Sequence, residues 1–317
     1  MIWTSTGIEW CYYRGMIGSI KSSISVGVVK KIFGNKENAR VFLDEIGVAV
    51  PKSVSAEEVY ASVVKHWDYK EGIRVVRGMF VETEKYQNGK SADKEMVVLI
   101  NEWERMKLGE IGWPFSQGKF DGFVQRLNAE RVDRVERDKK VKRAAVQYRR
   151  IKEINTLRND FIETLIFEKN ENILPTLDHR KGVDFFIDGE PYDQKVSASP
   201  TSQFKQNFGK GETSVTKKVR PVVKDEDSHL WRETAIKRPD LVAEYLYRYQ
   251  DEGRFDADPR LLVVYLDEDV CLQRIEEIVT ATDLTDPLEV VFQYRHKSVG
   301  LKQYETKCFV ILLYNGE

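Results

Sequence analysis

Two acids and a lysine crowd one short stretch of the chain. The segment VDFFIDGEPYDQK, residues 183–195, carries Asp184, Asp193 and Lys195 within a dozen positions. Asp188-Gly189 in its middle is a strong two-residue hairpin signal, because a type I′ turn needs positive φ at both central residues. On that turn 187 faces 190, 186 faces 191, 185 faces 192 and 184 faces 193. Side chains alternate along a strand, so Asp184 and Asp193 are expected opposite one another, with Cβ atoms roughly 5 Å apart. Lys195 lies two residues further on, on the same face. A four-residue turn over 188–191 keeps all three together, whereas a three-residue turn splits them. Like charges directly opposite destabilise a sheet. Lys195 offsets this in one reading, a divalent cation in another, since hard ions such as Mg²⁺ take carboxylate oxygens. The bland reading is a solvated hairpin face with an Asp–Lys salt bridge. The opposite face, with Phe185, Ile187, Tyr192 and Val196, suits a core, Gln194 excepted.

Elements on both sides of the hairpin must position these groups. Upstream, INTLRNDFIETLIFEKNE (154–171) is amphipathic, with Ile154, Leu157, Phe161 and Leu165 on one face and Asn155, Asn159 and Glu163 along another. Residues 121–170 read as one long helix or two in series. Downstream, 197–224 is a long polar excursion with six Lys/Arg against Glu212, and a strand is read within 214–223. Residues 238–253 form a helix that opens at Pro239. RLLVVYLD (260–267) is a near-continuous apolar run that suits a strand buried on both faces. A short helix over 269–279 and two final strands, 288–298 and 307–314, complete this half. In the first half, SVSAEEVYASVVKHW reads as a helix with the capping box Ser55/Glu58, 94–109 as a second helix, and 109–122 as a Gly/aromatic loop. Residues 1–15 lack periodicity and are expected to be poorly ordered.

Asp184 followed nine residues later by Asp193-Gln194-Lys195 resembles the active-site signature of the PD-(D/E)xK nuclease superfamily, which includes many type II restriction endonucleases. Val183 stands where that family often has proline, and Asp193 where it more often has glutamate. The element order helix, strand, strand, strand, helix, buried strand is similar to the family's αβββαβ core over residues 150–267. The resemblance implies an α/β (α+β) fold with a restriction-endonuclease-like αβββαβ core. The catalytic domain would lie at 151–317; residues 1–150, which the resemblance does not cover, read from their own helices as a mainly helical region for DNA recognition or dimerisation. The resemblance also implies Asp184 and Asp193 as ligands of one or two Mg²⁺ with the Gln194 carbonyl, Lys195 as the group that orients water and stabilises phosphate charge, and Glu163 as a further acid.

Charge distribution bears on the substrate. The 317-residue chain has a net charge of -1, yet residues 134–152 hold nine Lys/Arg against Glu136 and Asp138, a local +7. A basic stripe of this kind is the footprint of phosphate-backbone binding; its alternative is a solvated helical face. Arg143, Arg149, Arg150, Ser197, Lys205, Lys217 and Lys218 are the candidate DNA contacts. Mean hydropathy is −0.47, and no apolar run approaches the ~18 residues of a membrane helix. Three scattered cysteines, Cys11, Cys271 and Cys308, fit a reducing cytoplasm and make no zinc-site pattern. The N-terminus has no secretion-signal pattern. P-loop, GxSxG, HExxH and Rossmann patterns are absent.

The leading expectation is therefore a cytoplasmic, Mg²⁺-dependent, sequence-specific endonuclease on double-stranded DNA, of the type II restriction kind. It would work as a homodimer with a companion DNA methyltransferase. The alternatives are a repair or junction-resolving nuclease on the same fold, or a non-catalytic DNA-binding protein whose hairpin acids are structural.

Overall fold

The computed structural model describes residues 19–21, 23–105, 117–130, 132–177, 182–197, 228–249, 257–267, 270–296 and 300–316. The readings on 1–15, on Gly109, on the strand within 214–223, and on Lys205, Lys217 and Lys218 lie outside them.

Among the described residues eight helices precede the first strand: α1 (Val26–Phe33), α2 (Lys36–Glu45), α3 (Ala56–His66), α4 (Tyr69–Val81), α5 (Glu84–Lys90), α6 (Ala92–Arg105), α7 (Gln117–Ala129) and α8 (Arg134–Lys169). The remainder is β1 (Ile173–Pro175), β2 (Phe185–Ile187), β3 (Glu190–Ser197), α9 (Ser228–Lys237), α10 (Pro239–Tyr249), β4 (Arg260–Tyr265), α11 (Leu272–Ala281), β5 (Leu288–His296) and β6 (Gly300–Leu313). The fold is mixed α/β.

Local chemistry explains many of the boundaries. The Ser55 hydroxyl accepts from the Glu58 N–H, and the Glu58 carboxylate accepts from the Ser55 N–H at 2.9 Å, the expected capping box. Asp133 caps α8 by accepting from the N–H groups of Val135 and Glu136, so the segment 121–170 is two helices in series. Helix α8 then runs unbroken for 36 residues, about 54 Å at the usual rise. It passes through residue 150, the domain division read from the sequence. One reading is corrected: α7 begins at Gln117, inside the stretch 109–122 that reads as a loop. Its Phe123 and Leu127 enter the core beside Ala144 and Ile151 of α8, so tertiary burial outweighs the helix-weakening Gly118 and Gly122.

A six-stranded sheet of order β1-β2-β3-β4-β6-β5 organises the rest. β1, β2 and β3 pair antiparallel, β3 and β6 flank β4 in parallel, and β5 returns antiparallel to β6. Every residue of β4 is buried, as its apolar run requires. One face, through Phe185, Ile187, Tyr192, Leu261, Val263 and Ile311, packs on α6, α7, α8 and α11. The other is covered in two pieces. Leu174 and Phe186 enter the core of α1–α4, while Leu262, Val264 and Phe292 pack on α9 and α10. Strand β3 runs between those two covers.

Among the described residues three strands lie between α8 and α9, and the first of them is β1, which the sequence reading missed. Three residues ending in proline carry too little pattern to register as a strand. No helix among the described residues is long and apolar enough to cross a membrane.

Candidate active site

The hairpin forms as its turn chemistry demands. Asp188 and Gly189 both take positive φ, 52° and 84°, and the pairs Ile187–Glu190, Phe186–Pro191 and Phe185–Tyr192 are in register. The ladder stops there. Asp184 donates its backbone N–H to the carbonyl of Tyr192 at 3.0 Å rather than pairing with Asp193, and its own carbonyl accepts from the N–H of Thr176, the residue after β1, at 2.9 Å. Asp193 donates instead to the carbonyl of Pro259 at 3.1 Å. From Asp193 onward β3 pairs with β4, Asp193 against Arg260 and Lys195 against Leu262. The expected Asp184–Asp193 cross-strand pair is thus corrected: β3 changes partner between Tyr192 and Asp193, and the two acids sit on either side of the fork.

The fork still gathers the charges. The Gln194 N–H donates to the Asp184 carboxylate at 2.6 Å. Lys195 Nζ lies 3.0 Å from the Asp193 carboxylate, the two side chains being 24% and 17% exposed. Lys195 pairs in register with Leu262 and Asp193 with Arg260, whose guanidinium lies over the Tyr247 ring of α10. Asp193 and Lys195 therefore project from the α10 side of the sheet. Asp184, Asp193 and Lys195 are each partly buried, not on the open polar surface that a solvated hairpin face would give.

Glu163 of α8 acts on Asp184 through its negative field. Its side chain is 12% exposed and ion-paired with Lys85 of α5. Burial pushes the Glu163 carboxyl upward, Lys85 pulls it back, and Asp160 adds a smaller upward push. Asp184 feels the same cluster. Burial, then the negative field of Glu163, and then that of Asp193 raise its carboxyl to about 7, against the opposing Gln194 hydrogen bond and Lys85. Asp160, one turn before Glu163, is raised by its own burial. Clustered carboxyls with displaced pKa values are the electrostatic mark of a functional site.

The donor set suits a hard divalent cation. It is all oxygen, and the like-charge pressure on Asp184 is what a cation would relieve. Among the described residues no three His, Cys, Asp or Glu side chains make a ready cage. An ion here would be held by Asp184, Asp193 and a backbone carbonyl such as that of Gln194, keeping several waters, as Mg²⁺ does on one or two carboxylates. The Gln194 side chain is a separate matter. Its Oε1 is buried without a hydrogen-bond partner among the described residues, and strand alternation places it with Tyr192 and Val196.

The candidate DNA contacts divide. Arg143 is exposed on α8, where Lys139 and Lys142 of the basic stripe are exposed as well. Arg149 pairs with Glu153 at 2.9 Å, and Arg150 pairs with Glu153 at 2.6 Å and with Glu102 of α6 at 2.7 Å. Part of the local +7 is thus balanced within the fold by acids that lie outside 134–152. Ser197 ends β3, half-buried, opposite Val264. Lys85 is the site residue that sequence reasoning missed. It sits in a seven-residue helix with no apolar periodicity, and its partner is remote in sequence.

Comparison of the chain with protein-family models, characterised proteins and solved structures gives no match.

Proposed function

We propose that the protein is a Mg²⁺-dependent endonuclease acting on double-stranded DNA, of the sequence-specific restriction kind, with Asp184, Asp193, Lys195 and Glu163 as its working groups. The observation that carries this reading is the fork in β3. It brings an acid from the start of β2, an acid-x-lysine from β3 and a buried glutamate from the preceding helix to one place. The order α8, β1, β2, β3, α9–α10, β4 supports it, because it has the αβββαβ sequence of the PD-(D/E)xK core.

Each residue has a definable task. Asp184 and Asp193 would hold Mg²⁺, which supplies charge neutralisation at the phosphate and an acidified water. Lys195, already at the Asp193 carboxylate, offers a cation to the phosphate oxygens where negative charge grows. Glu163 presents a carboxylate that can accept a proton or hold a water beside Asp184. The Gln194 N–H fixes one Asp184 oxygen, so the other remains for a ligand. The basic half of α8 offers Lys139, Lys142 and Arg143 to the phosphate backbone. A homodimer would suit double-strand cleavage at a palindrome, and a restriction role carries with it a companion methyltransferase.

The ion pairs Asp193–Lys195 and Glu163–Lys85 also favour a second reading, a DNA-binding protein in which each acid is simply neutralised by a lysine. Incubating the protein with supercoiled plasmid and with long linear DNA, in Mg²⁺ and in EDTA, separates the two. Discrete fragments with one shared end sequence, formed only with Mg²⁺, support restriction cleavage. Nicking without fixed ends points to a repair-type nuclease. DNA retention without cleavage supports the binding protein.

A further inference from the structure

Resting on the nuclease reading, we infer that Lys85 is a positioning residue for the active site: its ion pair with Glu163 holds that side chain in place on α8, and through it the N-terminal helices take part in the chemistry. The argument begins with the packing of α5. This helix is seven residues long, capped by Thr83, whose hydroxyl accepts from the Tyr86 N–H. A helix so short has little stability of its own, so tertiary contacts must fix it. They do so along one face of α8. Gly89 lies so close to α8 that an added Cβ would stand 2.6 Å from the Asp160 carbonyl oxygen and closer still to the Thr164 hydroxyl. Tyr86 donates its hydroxyl to Glu168 at 2.7 Å, and Lys90 pairs with Glu168 at 3.0 Å. The rings of Phe80, Tyr86 and Phe167 pack edge-on or tilted around the same junction, with centroids 4.9 to 5.9 Å apart.

Lys85 lies one turn before Gly89, so the close approach at Gly89 brings its ammonium to Glu163. Lys85 is itself only 22% exposed. Its positive field is felt by Glu163, Asp160 and Asp184 alike. A carboxyl group as enclosed as Glu163 needs a partner to keep its position, and Lys85 supplies one. Among the described residues the ion pair of Lys85 is with Glu163. Its effect on the reaction passes through Glu163.

The test is a double-mutant cycle on the full-length protein with Lys85→Met and Glu163→Gln, read in two ways. Thermal unfolding in EDTA reads the pair itself. Lys85→Met lowers the midpoint, because it strands a buried carboxylate, and adding Glu163→Gln restores most of the loss. Cleavage of plasmid DNA in Mg²⁺ reads the consequence. Lys85→Met lowers kcat by about 10²-fold, the scale of a misplaced reacting group, with KM for DNA unchanged. Lys85→Arg retains most of the rate, and the double variant is no slower than Glu163→Gln alone. A Lys85→Met protein that turns over at the wild-type kcat overturns the inference, and so do losses that multiply in the double variant. Wild-type protein that cleaves no DNA overturns the nuclease reading by itself. The unfolding cycle then still judges the Lys85–Glu163 link, which additive midpoint changes would sink.

Discussion

The backbone N–H of Gln194 donates to the Asp184 carboxylate across the mouth of the hairpin, at 2.6 Å, where β3 leaves β2 for β4. This bond draws Asp184 to the acid-x-lysine segment although the two acids do not pair across the ladder. It also opposes the burial and like charge that raise the Asp184 carboxyl from 3.8 to about 7.

A pH dependence follows from that shift. Between those two values the unfolded chain has released the Asp184 proton while the folded protein keeps it. Raising the pH through this window therefore costs the folded state stability. Asp184→Asn cannot ionise and still accepts from Gln194. In EDTA its stability relative to the wild type should rise from about pH 4 to pH 7 and level off above, by a few kcal/mol at about 1.4 kcal/mol per pKa unit. Urea unfolding at a series of pH values checks this, and a difference that is flat across the window would remove the claim of a raised Asp184.

Mg²⁺ should stabilise the wild type. A cation at one hundred times its dissociation constant contributes about 2.7 kcal/mol. The gain should be larger at pH 8 than at pH 6, because proton and metal compete for Asp184. Thermal midpoints with and without Mg²⁺ measure it, and Asp184→Asn and Asp193→Asn should lose most of the effect. Equal Mg²⁺ responses in all three proteins would place any bound ion elsewhere.

The site was only partly legible in the sequence. The hairpin was, because Asp188-Gly189 fixes its turn within two residues and with it the pairing of 185–187 with 190–192. Strand β4 was legible from its apolar run, and α3 from its capping box, since both signals are local. The change of partner at Asp193 was not, because it depends on where β4 arrives from a distant part of the chain. Strand β1 is too short to show a period. Lys85 meets Glu163 only because Gly89 lets α5 lie close against α8, and no local pattern encodes that approach.

Lys195 should matter to rate and little to binding. Lys195→Ala removes one stabiliser of developing charge, so cleavage should slow by at least about 10²-fold. DNA affinity in Ca²⁺ or EDTA should change little, because one cation among many contributes little to the total. Single-turnover cleavage and filter binding on the same preparations test this pair of expectations. A loss of affinity that accounts for the whole loss of rate would make Lys195 a binding residue only.

The basic half of α8 should act through salt-sensitive phosphate interactions. Neutralising Lys139, Lys142 and Arg143 should lower the slope of log affinity against log salt by about one unit for each phosphate no longer neutralised, whatever the DNA sequence. Arg149→Gln and Arg150→Gln should lower it less, because Glu153 and Glu102 already take part of those charges. Titrations at several salt concentrations decide, and an unchanged slope in the triple variant would leave the helix merely solvated.

The central claim is that the β3 fork is a catalytic centre, and plasmid cleavage by Asp184→Ala tests it most directly. With Mg²⁺ present, and with folding verified by a thermal midpoint no lower than that of the wild type, the account predicts that the variant binds DNA at least as tightly as the wild type but does not cleave it. Cleavage at the wild-type rate by a folded Asp184→Ala protein would contradict the assignment.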